Sequence, residues 1–332
     1  MRTEILKGAR AIELGAELIK KGEIVAFPTE TVYGLGADAM NESAVAKIFL
    51  AKGRPQDNPL IVHLASADEV NEIAYDDGRA RDLFDTFAPG PLTVILKKRS
   101  VIPDSVTAGR PTVAIRVPAH DDALALIASS RPLAAPSANT STRPSPTRAS
   151  DVAEDMDGKI PLIIDGGESG VGIESTILDL TGDIPTILRP GYITEVDLAP
   201  VLGTVKHFGG KITANPPAPG MKYRHYAPSV ELVLSRTAEE TLALYADAVK
   251  AGRDPVILAL GQNICKYEGL KAFNMGNNDK EVARNLYSAF RDGEKAGDLI
   301  IAEALSESGL GFSVMNRMKK AVSGSKGGDG KL

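Results

Sequence analysis

Residues 28–36 read Pro-Thr-Glu-Thr-Val-Tyr-Gly-Leu-Gly and directly follow an apolar run that predicts a buried strand, Glu23–Pro28. Hydroxyl side chains at the end of a strand, in a loop with two glycines, offer donors and close backbone approach to an anionic ligand. Taken alone, the segment fits an ordinary strand-to-helix turn equally well. A dinucleotide-binding fingerprint is excluded, because Ala39 stands at the third glycine position.

The flanking sequence predicts alternating helices and strands. Residues 5–20 carry apolar residues at helical spacing, and Gly22 ends that helix. Further helices are predicted near Ser43–Lys52 and Asp68–Ala74. The predicted strands are Leu60–Leu64, Leu92–Lys97, Thr112–Val117, Leu133–Ala135, Leu162–Asp165, Ser175–Asp179 and Thr186–Arg189. This mixture predicts an α/β fold with one large mixed sheet and helices packed on it.

The composition changes after residue 202. Residues 203–230 are rich in proline and glycine and contain no acidic residue, which predicts an extended basic linker. The remaining chain predicts a smaller α/β domain, with strands at Glu231–Leu234 and Pro255–Leu260 and helices at Ala238–Lys250, Lys280–Asp292 and Phe312–Val322. The predicted boundaries are 1–202, 203–229 and 230–332, and the last ten residues are expected to be disordered.

Length and composition limit the protein classes. The chain has 332 residues, of which 43% are hydrophobic, so it can bury a large core in about two domains. A formal charge of −5 argues against a general nucleic-acid coat protein. Cys265 is the single cysteine, which excludes an intramolecular disulfide and a cysteine zinc cluster. The N-terminus lacks the pattern of a secretory signal, and no apolar stretch is long enough to span a bilayer, so a cytoplasmic location is expected.

Cationic and hydroxyl-bearing loops recur along the first 200 residues. Lys52 and Arg54 lie two apart in a loop punctuated by glycine and proline, where both can face one anion, although isolated pairs of this kind are usually solvated. Similar small-residue segments with polar ends are 133–141, 172–176 and 188–191. Asn41 and Asn139 begin Asn-x-Ser matches that we attribute to chance, because no secretory route is indicated.

Together these motifs resemble the YrdC/Sua5 family. The resemblance is carried by residues 28–35, the Lys-x-Arg and Ser-x-Asn pairs, Asn58-Pro59-Leu60, Ala114–Pro118 and Glu174-Ser175-Thr176. Residues 219–228, Pro-Gly-Met-Lys-Tyr-Arg-His-Tyr-Ala-Pro, match the two-domain Sua5 form. The resemblance implies an open twisted mixed sheet with a basic concave cleft, followed by a Rossmann-like domain.

The resemblance also implies an ATP-dependent nucleotidyltransferase, an L-threonylcarbamoyladenylate synthase. Such an enzyme makes threonylcarbamoyl-AMP and pyrophosphate from L-threonine, bicarbonate and ATP. A separate transferase complex then uses the product to modify the tRNA adenosine beside the anticodon. Magnesium would arrive with ATP, held by phosphates and water, with no metal site built by the protein.

The implied site residues fall into three groups. The catalytic group is Lys52, Arg54, Ser137 and Asn139. L-threonine would be held by Thr31, His63, Arg116, Ser137 and either Ser175 or Thr176. ATP would be held by Lys52, Arg54, Asn58, Thr112, Asn139, Ser145, Arg189, His225 and Tyr226.

Several of these residues have a purely structural alternative. His63 ends an apolar strand and could be a hydrogen-bonded core histidine. Arg116 has no neighbouring acid in sequence, which favours a ligand role, but a distant acid could pair with it. Glu174 could be a structural carboxylate or a base. Residues 222–226 could fold over the ATP site as a lid, or belong to a solvated tether.

Two other functions compete with the synthase. Basic residues such as Arg143, Arg148, Lys97, Lys98 and Arg99 could bind RNA phosphates, but aromatic residues make up only 5% of the chain. A weak contact with tRNA is left open. Carbamoyl transfer in hydrogenase maturation is disfavoured, because the cysteine-containing companion domains of that enzyme are missing.

Overall fold

The structure, a computed structural model, describes residues 2–209, 218 and 226–322. The chain forms two compact units. The first comprises Met1–Ser141, Pro146–Gly170 and Glu174–Lys222. The second comprises Tyr223–Leu332 together with two short segments from earlier in the chain, Thr142–Ser145 and Val171–Ile173.

The first unit alternates helices and strands. Its strands are β1 (Glu4–Leu6), β2 (Val25–Phe27), β3 (Gly34–Asp38), β4 (Ile61–His63), β5 (Ala74–Tyr75), β6 (Leu92–Lys98), β7 (Thr112–Arg116), β8 (Leu133–Ala135), β9 (Leu162–Ile164), β10 (Thr176–Asp179), β11 (Thr186–Arg189) and β12 (Lys206–His207). Its helices are α1 (Ala9–Lys20), α2 (Glu42–Lys52), α3 (Val70–Ile73), α4 (Arg79–Phe87), α5 (Asp104–Thr107), α6 (Asp121–Ser129), α7 (Ala149–Met156) and α8 (Glu195–Leu202). A short 3₁₀ helix, Ala67–Glu69, precedes α3.

These strands form one 12-stranded sheet in the order β1-β9-β2-β3-β8-β4-β7-β6-β10-β11-β12, with β5 paired to β6 beside this path. The sheet is mixed, since β4 runs parallel to β7 and antiparallel to β8. The predicted large mixed sheet is therefore confirmed.

The two faces of this sheet are packed differently. On one face, alternate strand residues such as Val62, Val94 and Ile115 pack against α2, α4, α7 and α8 in the main core. On the other face, α1 and α6 cover β2, β8 and β9. The rest of that face carries a smaller apolar cluster, Ile61, Ile95, Ala114, Ile177 and Leu188, which packs with Ala218. Strand side chains alternate between the two faces of a sheet. Residues two positions before or after each cluster residue on the same strand therefore also lie on this second face.

The second unit is a smaller parallel α/β sandwich. Its strands are β13 (Glu231–Ser235), β14 (Pro255–Leu260), β15 (Ala272–Gly276) and β16 (Leu299–Glu303). Its helices are α9 (Ala238–Lys250), the 3₁₀ helix Gly261–Tyr267, α10 (Asp279–Ala296) and α11 (Gly309–Val322). The four strands pair in parallel in the order β13-β16-β14-β15, which confirms the predicted α/β class of this region.

Three predicted elements are corrected by the structure. The helix expected over 5–20 begins at Ala9, because Gly8 adopts a positive φ of 69° and Glu4–Leu6 pair in parallel with β9. The loop expected over 28–36 is shorter, because its last three residues belong to strand β3, which is antiparallel to β2. Within the predicted linker, Lys206–His207 form the edge strand β12.

Candidate active site

A tight turn joins β2 to β3 and orders the hydroxyl-rich segment. The Thr29 hydroxyl donates to the Val32 carbonyl at 2.7 Å and accepts from the backbone N–H groups of Thr31 and Val32, each at 3.2 Å. The hydroxyls of Thr29 and Thr31 lie 2.8 Å apart, and both residues are buried. The turn therefore holds Thr31 in one conformation inside the protein.

The segment after β8 lies beside this turn. Gly34 bridges to Ser137, and the backbone N–H of Ala138 donates to the Tyr33 carbonyl at 2.8 Å. A Cβ on Gly34 would lie 2.8 Å from the Phe27 ring, so the absence of a side chain at Gly34 lets the ring pack closely against the backbone there. The structure thus brings together two motifs separated by about 100 residues in sequence.

Lys52 is a buried cation at the end of α2. Its Nζ donates to the Ser137 carbonyl at 2.5 Å, to the Asn139 carbonyl, and to Asn139 Oδ1 at 3.5 Å. Asn139 Oδ1 also accepts from the Ser137 hydroxyl at 2.5 Å. Burial and the neighbouring Arg54 charge hold the pKa of Lys52 well below its ordinary value, while the Asp155 charge opposes this shift.

Asp155 supports the same loop from α7. Its Oδ2 accepts from the backbone N–H of Thr140 at 3.1 Å. The ammonium of Lys159 lies 2.7 Å from the Asp155 carbonyl and 3.4 Å from the Thr140 hydroxyl. Sequence reasoning missed Asp155, because no spacing relates it to Lys52 before the chain folds.

The loop after α2 places Arg54 and Asn58 together. Arg54 donates to the Asn58 carbonyl at 3.3 Å and to the Pro59 carbonyl at 3.0 Å, so the guanidinium and the Asn58 backbone are held together. The Asn58 side chain is buried, and its Oδ1 has no hydrogen-bond partner within the described part of the chain. An unsatisfied buried amide oxygen can accept from a ligand donor.

His63 and Arg116 end two neighbouring parallel strands on the less covered face of the sheet. They are register partners, and Thr112, Ala114 and Arg116 share one side of β7. His63 is buried, and its Nδ1 lies 3.2 Å from the Ile61 carbonyl. Burial and the Arg116 charge lower the pKa of His63 to about 3, so its imidazole is neutral at physiological pH.

Arg116 faces an acid that the sequence did not indicate. Its Nη2 lies 2.7 Å from Glu30 Oε2, and its Nε donates to the Gly90 carbonyl at 3.3 Å. Glu30 lies 86 positions away and belongs to the turn before β3, so no local spacing could have identified the pair.

The two adjacent hydroxyls of Ser175 and Thr176 have different surroundings. Ser175 Oγ lies 2.7 Å from Thr93 Oγ1 and accepts from Arg189 Nη2 at 3.1 Å, and Arg189 also donates twice to the Ser175 carbonyl. Thr176 donates to the Ile193 carbonyl at 2.5 Å. By strand alternation, Ser175 shares the face of Ile177, whereas Thr176 points away from it. Thr93 was not predicted.

The remaining predicted ligands lie in the second unit or outside the description. Ser145 is buried in the short segment Thr142–Ser145 of that unit. Tyr226 is buried with its ring centroid 5.3 Å from that of Tyr287. His225, with the rest of 219–225, lies outside the described residues.

Most of the basic residues considered for RNA binding have protein partners. Arg143 pairs with Glu294 at 2.6 Å, and Arg148 with Asp151 at 3.0 Å. Lys98 pairs with Asp104 at 2.6 Å, and Arg99 lies 4.2 Å from the ring centroid of Tyr75. Such pairing opposes an RNA interface built from these cations.

The described residues contain neither a cluster of metal ligands nor a membrane-spanning helix. Over the ranges 2–209 and 226–322, no group of three or more His, Cys, Asp or Glu is arranged to hold a metal ion. In the same ranges, no helix is long and apolar enough to cross a membrane.

Comparison with protein families gives two matches in tandem. Residues 17–191 match the family described as "Telomere recombination", the group of Sua5, YciO and YrdC. Residues 193–323 match the family described as "Threonylcarbamoyl-AMP synthase, C-terminal domain".

Similar proteins cover nearly the whole chain. The threonylcarbamoyl-AMP synthase of Pyrococcus abyssi is 46% identical over 324 residues, 93% of each chain. That of Bacillus subtilis is 44% identical over 322 residues, 94% of this chain and 93% of the relative. The crystal structure of P. abyssi Sua5 complexed with L-threonine has a TM-score of 0.90, with 44% identity and 97% of each chain covered.

Proposed function

Because this chain belongs to the family of two-domain Sua5-type threonylcarbamoyl-AMP synthases, we propose that it makes threonylcarbamoyl-AMP and pyrophosphate from L-threonine, bicarbonate and ATP. The observation that carries the proposal is that four cations of the first unit, Lys52, Arg54, Arg116 and Arg189, are each held in place by a hydrogen bond or an ion pair. A site of this kind suits several anions held together.

The catalysis proposed here depends mainly on positioning. The amine of threonine attacks bicarbonate to give a carbamate, and a carbamate oxygen then attacks the α-phosphate of ATP while pyrophosphate leaves. Each step brings negative groups together, so fixed cations and hydrogen-bond donors lower its barrier.

The threonine end of the proposed site lies on the sheet. Arg116 supplies a fork of donors suited to a carboxylate, and the neutral imidazole of His63 can exchange a hydrogen bond with the amino acid. Thr31 belongs to the turn, and Ser137 belongs to the segment after β8. Ser175 is favoured over Thr176, because the Thr176 hydroxyl is bonded to Ile193 on the other side of the strand.

The ATP end of the proposed site lies in the loops. This end comprises Arg54, Asn58, Asn139 and Arg189, with Thr112 at the start of β7. The family resemblance adds Ser145, His225 and Tyr226. Lys52 makes its three hydrogen bonds to oxygens of the Ser137–Asn139 segment. Its proposed role is therefore to hold that segment and to supply positive charge, without a direct bond to phosphate.

Magnesium is proposed to enter with ATP, since phosphate oxygens and water are ligands that this ion prefers. The product would pass to a transferase complex that modifies tRNA, with at most a weak tRNA contact by this chain. The proposed location is the cytoplasm.

A lid over the ATP end is proposed for residues 203–229, between a catalytic domain at 1–202 and a C-terminal domain at 230–332. Ala218 supports a lid that also covers the threonine end, because this linker residue is buried in the apolar cluster with Ile61 and Ala114 on the face that carries His63 and Arg116. A segment placed there would keep water from a labile carbamate and mixed anhydride.

Pyrophosphate release from MgATP tests the proposed function. The purified protein should require both L-threonine and bicarbonate, and Arg54→Ala should lower the rate by about 100-fold if one charge-stabilising donor is lost. Arg81→Ala is the matched control, because Arg81 forms an exposed ion pair with Asp68. Pyrophosphate release that ignores threonine would contradict the proposal.

A further inference from the structure

The Arg116–Glu30 contact is close but poorly aligned. The two side chains are only 5% and 12% exposed, and the atoms Nη2 and Oε2 lie 2.7 Å apart. Nevertheless, both Glu30 carboxylate oxygens and Arg116 Nη2 lack a hydrogen-bond partner within the described part of the chain. The contact is thus an ion pair without the hydrogen bonds that normally accompany burial.

Such a pair is expensive to maintain in a folded protein. Removing a carboxylate from water is unfavourable, and a buried ion pair offsets this only with good geometry and additional hydrogen bonds. Buried polar atoms without partners therefore call for a ligand or a catalytic role. The missing partner of Glu30 must be a hydrogen-bond donor, and a positively charged donor would suit it best.

The pair is the electrostatic complement of an amino-acid zwitterion. A carboxylate ligand fits Arg116, and an ammonium ligand, with three donors, fits the two Glu30 oxygens, which accept no hydrogen bond within the described ranges. Glu30 adjoins Thr31 in the turn, and Arg116 is the register partner of His63, so all four residues belong to the same end of the proposed site.

We propose that Glu30 is a catalytic residue that binds the α-ammonium group of the amino-acid substrate and accepts its proton before the amine attacks bicarbonate. This inference rests on the proposed synthase function. The substrate enters between the two side chains, with its carboxylate on Arg116 and its ammonium on Glu30.

The proton balance of this step is complete. One N–H proton passes to Glu30, and the freed nitrogen lone pair forms the C–N bond to the bicarbonate carbon. The C–O bond to the departing hydroxide breaks, and that hydroxide takes a second N–H proton to become water. The nitrogen retains one hydrogen in the carbamate. The proton on Glu30 is then released to solvent, which restores the carboxylate.

His63 is a poor alternative base. Its pKa of about 3 makes the imidazole a weak proton acceptor in this environment, although the neutral ring can still orient a ligand. Glu30 instead presents two carboxylate oxygens that accept no hydrogen bond from the described residues.

The first test uses the wild-type protein with charge-altered ligands. Calorimetry compares L-threonine with 2,3-dihydroxybutanoate, which lacks the amine. Loss of one partner of a buried charge pair should weaken binding by at least about 30-fold. Equal affinity for the two ligands would overturn the proposal. This test needs no variant that could fail to fold.

The second test uses Glu30→Gln, which keeps the shape but cannot take the proton. We expect the threonine Kd to rise at least about 30-fold and kcat to fall about 100-fold. The Kd values for ATP and for 2,3-dihydroxybutanoate should change by less than about 3-fold. Glu30→Asp should recover part of kcat, which a purely structural role would not require.

Glu303→Gln is the control for neutralising a buried carboxylate. Glu303 lies in the second unit and accepts from the Leu260 N–H at 2.6 Å and from Asn263 at 2.9 Å. It should lower thermal stability without a selective effect on threonine. If wild-type pyrophosphate release needs threonine but Glu30→Gln keeps the wild-type threonine Kd and kcat, this inference fails and the proposed function stands. If the wild type itself shows no threonine dependence, the proposed function fails.

Discussion

Lys52 is a cation whose protonation depends on its neighbours. Burial and Arg54 lower its pKa, and Asp155, which binds the Thr140 N–H across the same loop, acts in the opposite direction. Lys159 adds a second positive charge near Thr140. The ammonium holds the Ser137–Asn139 segment only while it is protonated, so the segment should loosen when Lys52 loses its proton.

Asp155→Asn should therefore shift the alkaline limb of the activity profile to lower pH. The charge that raises the pKa of Lys52 is removed, and the ammonium then deprotonates at lower pH. The kcat/KM for ATP, measured across pH 6–10, checks this.

Asp151→Asn is the matched control. Asp151 lies one turn earlier on α7, is also buried, and pairs with Arg148. It should lower stability without moving the alkaline limb. An unchanged pH profile for Asp155→Asn would contradict the proposed coupling.

The low pKa of His63 predicts that the folded protein loses stability in acid. Its folded pKa is about 3, whereas the unfolded value is 6.5, so the unfolded chain binds more protons between these values. Stability should fall as pH decreases from 6.5 towards 3, by at most about 1.4 kcal/mol per unit from this group. His63→Gln should flatten the slope of Tm against pH in that window, whereas substitution of the exposed His207 should not. A slope unaffected by His63→Gln would refute this.

At this scale the sequence singles out one class of candidate site residue. Cations and hydroxyls in punctuated loops, such as Lys52, Arg54 and Ser137, were visible as local patterns and by family resemblance. Glu30, Thr93 and Asp155 were missed as partners, because their contacts join residues between 15 and 86 positions apart. Their assignment required the register of the sheet.

Among the elements, the junction of β10 and β11 determines how Ser175 and Arg189 meet. A Cβ on Gly191 would lie 2.3 Å from the backbone nitrogen of Thr176 and 2.6 Å from the Ser175 carbonyl carbon. Both atoms belong to the backbone, so side-chain motion cannot relieve the clash.

Gly191→Ala should lower stability by about 1–3 kcal/mol or more, as other overpacked sites do, and weaken binding of ATP. Gly182→Ala is the control, because nothing lies within 4 Å of the added carbon in the turn between the same strands. Thermal unfolding and ATP titration measure both effects. Equal Tm values for the two variants would contradict the packing argument.

Element bounds were predicted best where a short apolar run or a clear helical repeat has distinct ends. Strands β8, β11 and β14 and helix α9 have the predicted bounds. Helices α4, α6, α7 and α8 were missed, because they are only eight or nine residues long and give too few turns for a clear pattern. The sequence predicts a loop at β3 because Gly34 and Gly36 normally disfavour strands, whereas in the structure these glycines make room for the Phe27 ring.

For the whole molecule, the proposed lid makes the linker sensitive to substrates. Trypsin should cut at Lys222 or Arg224 more slowly when ATP and L-threonine are present, because a closed lid shields these bonds. The cut protein should lose turnover. Cleavage at the same rate with and without ligands, followed by full activity of the cut protein, would contradict the lid.

The central claim is that this chain joins bicarbonate carbon, threonine and AMP in one product. The most direct measurement is mass spectrometry of a rapidly quenched reaction with MgATP, L-threonine and either ordinary or ¹³C-labelled bicarbonate. We expect a threonylcarbamoyl-AMP ion that gains one mass unit with the label and disappears without threonine. ATP turnover that yields no adenylate carrying the bicarbonate carbon would contradict it.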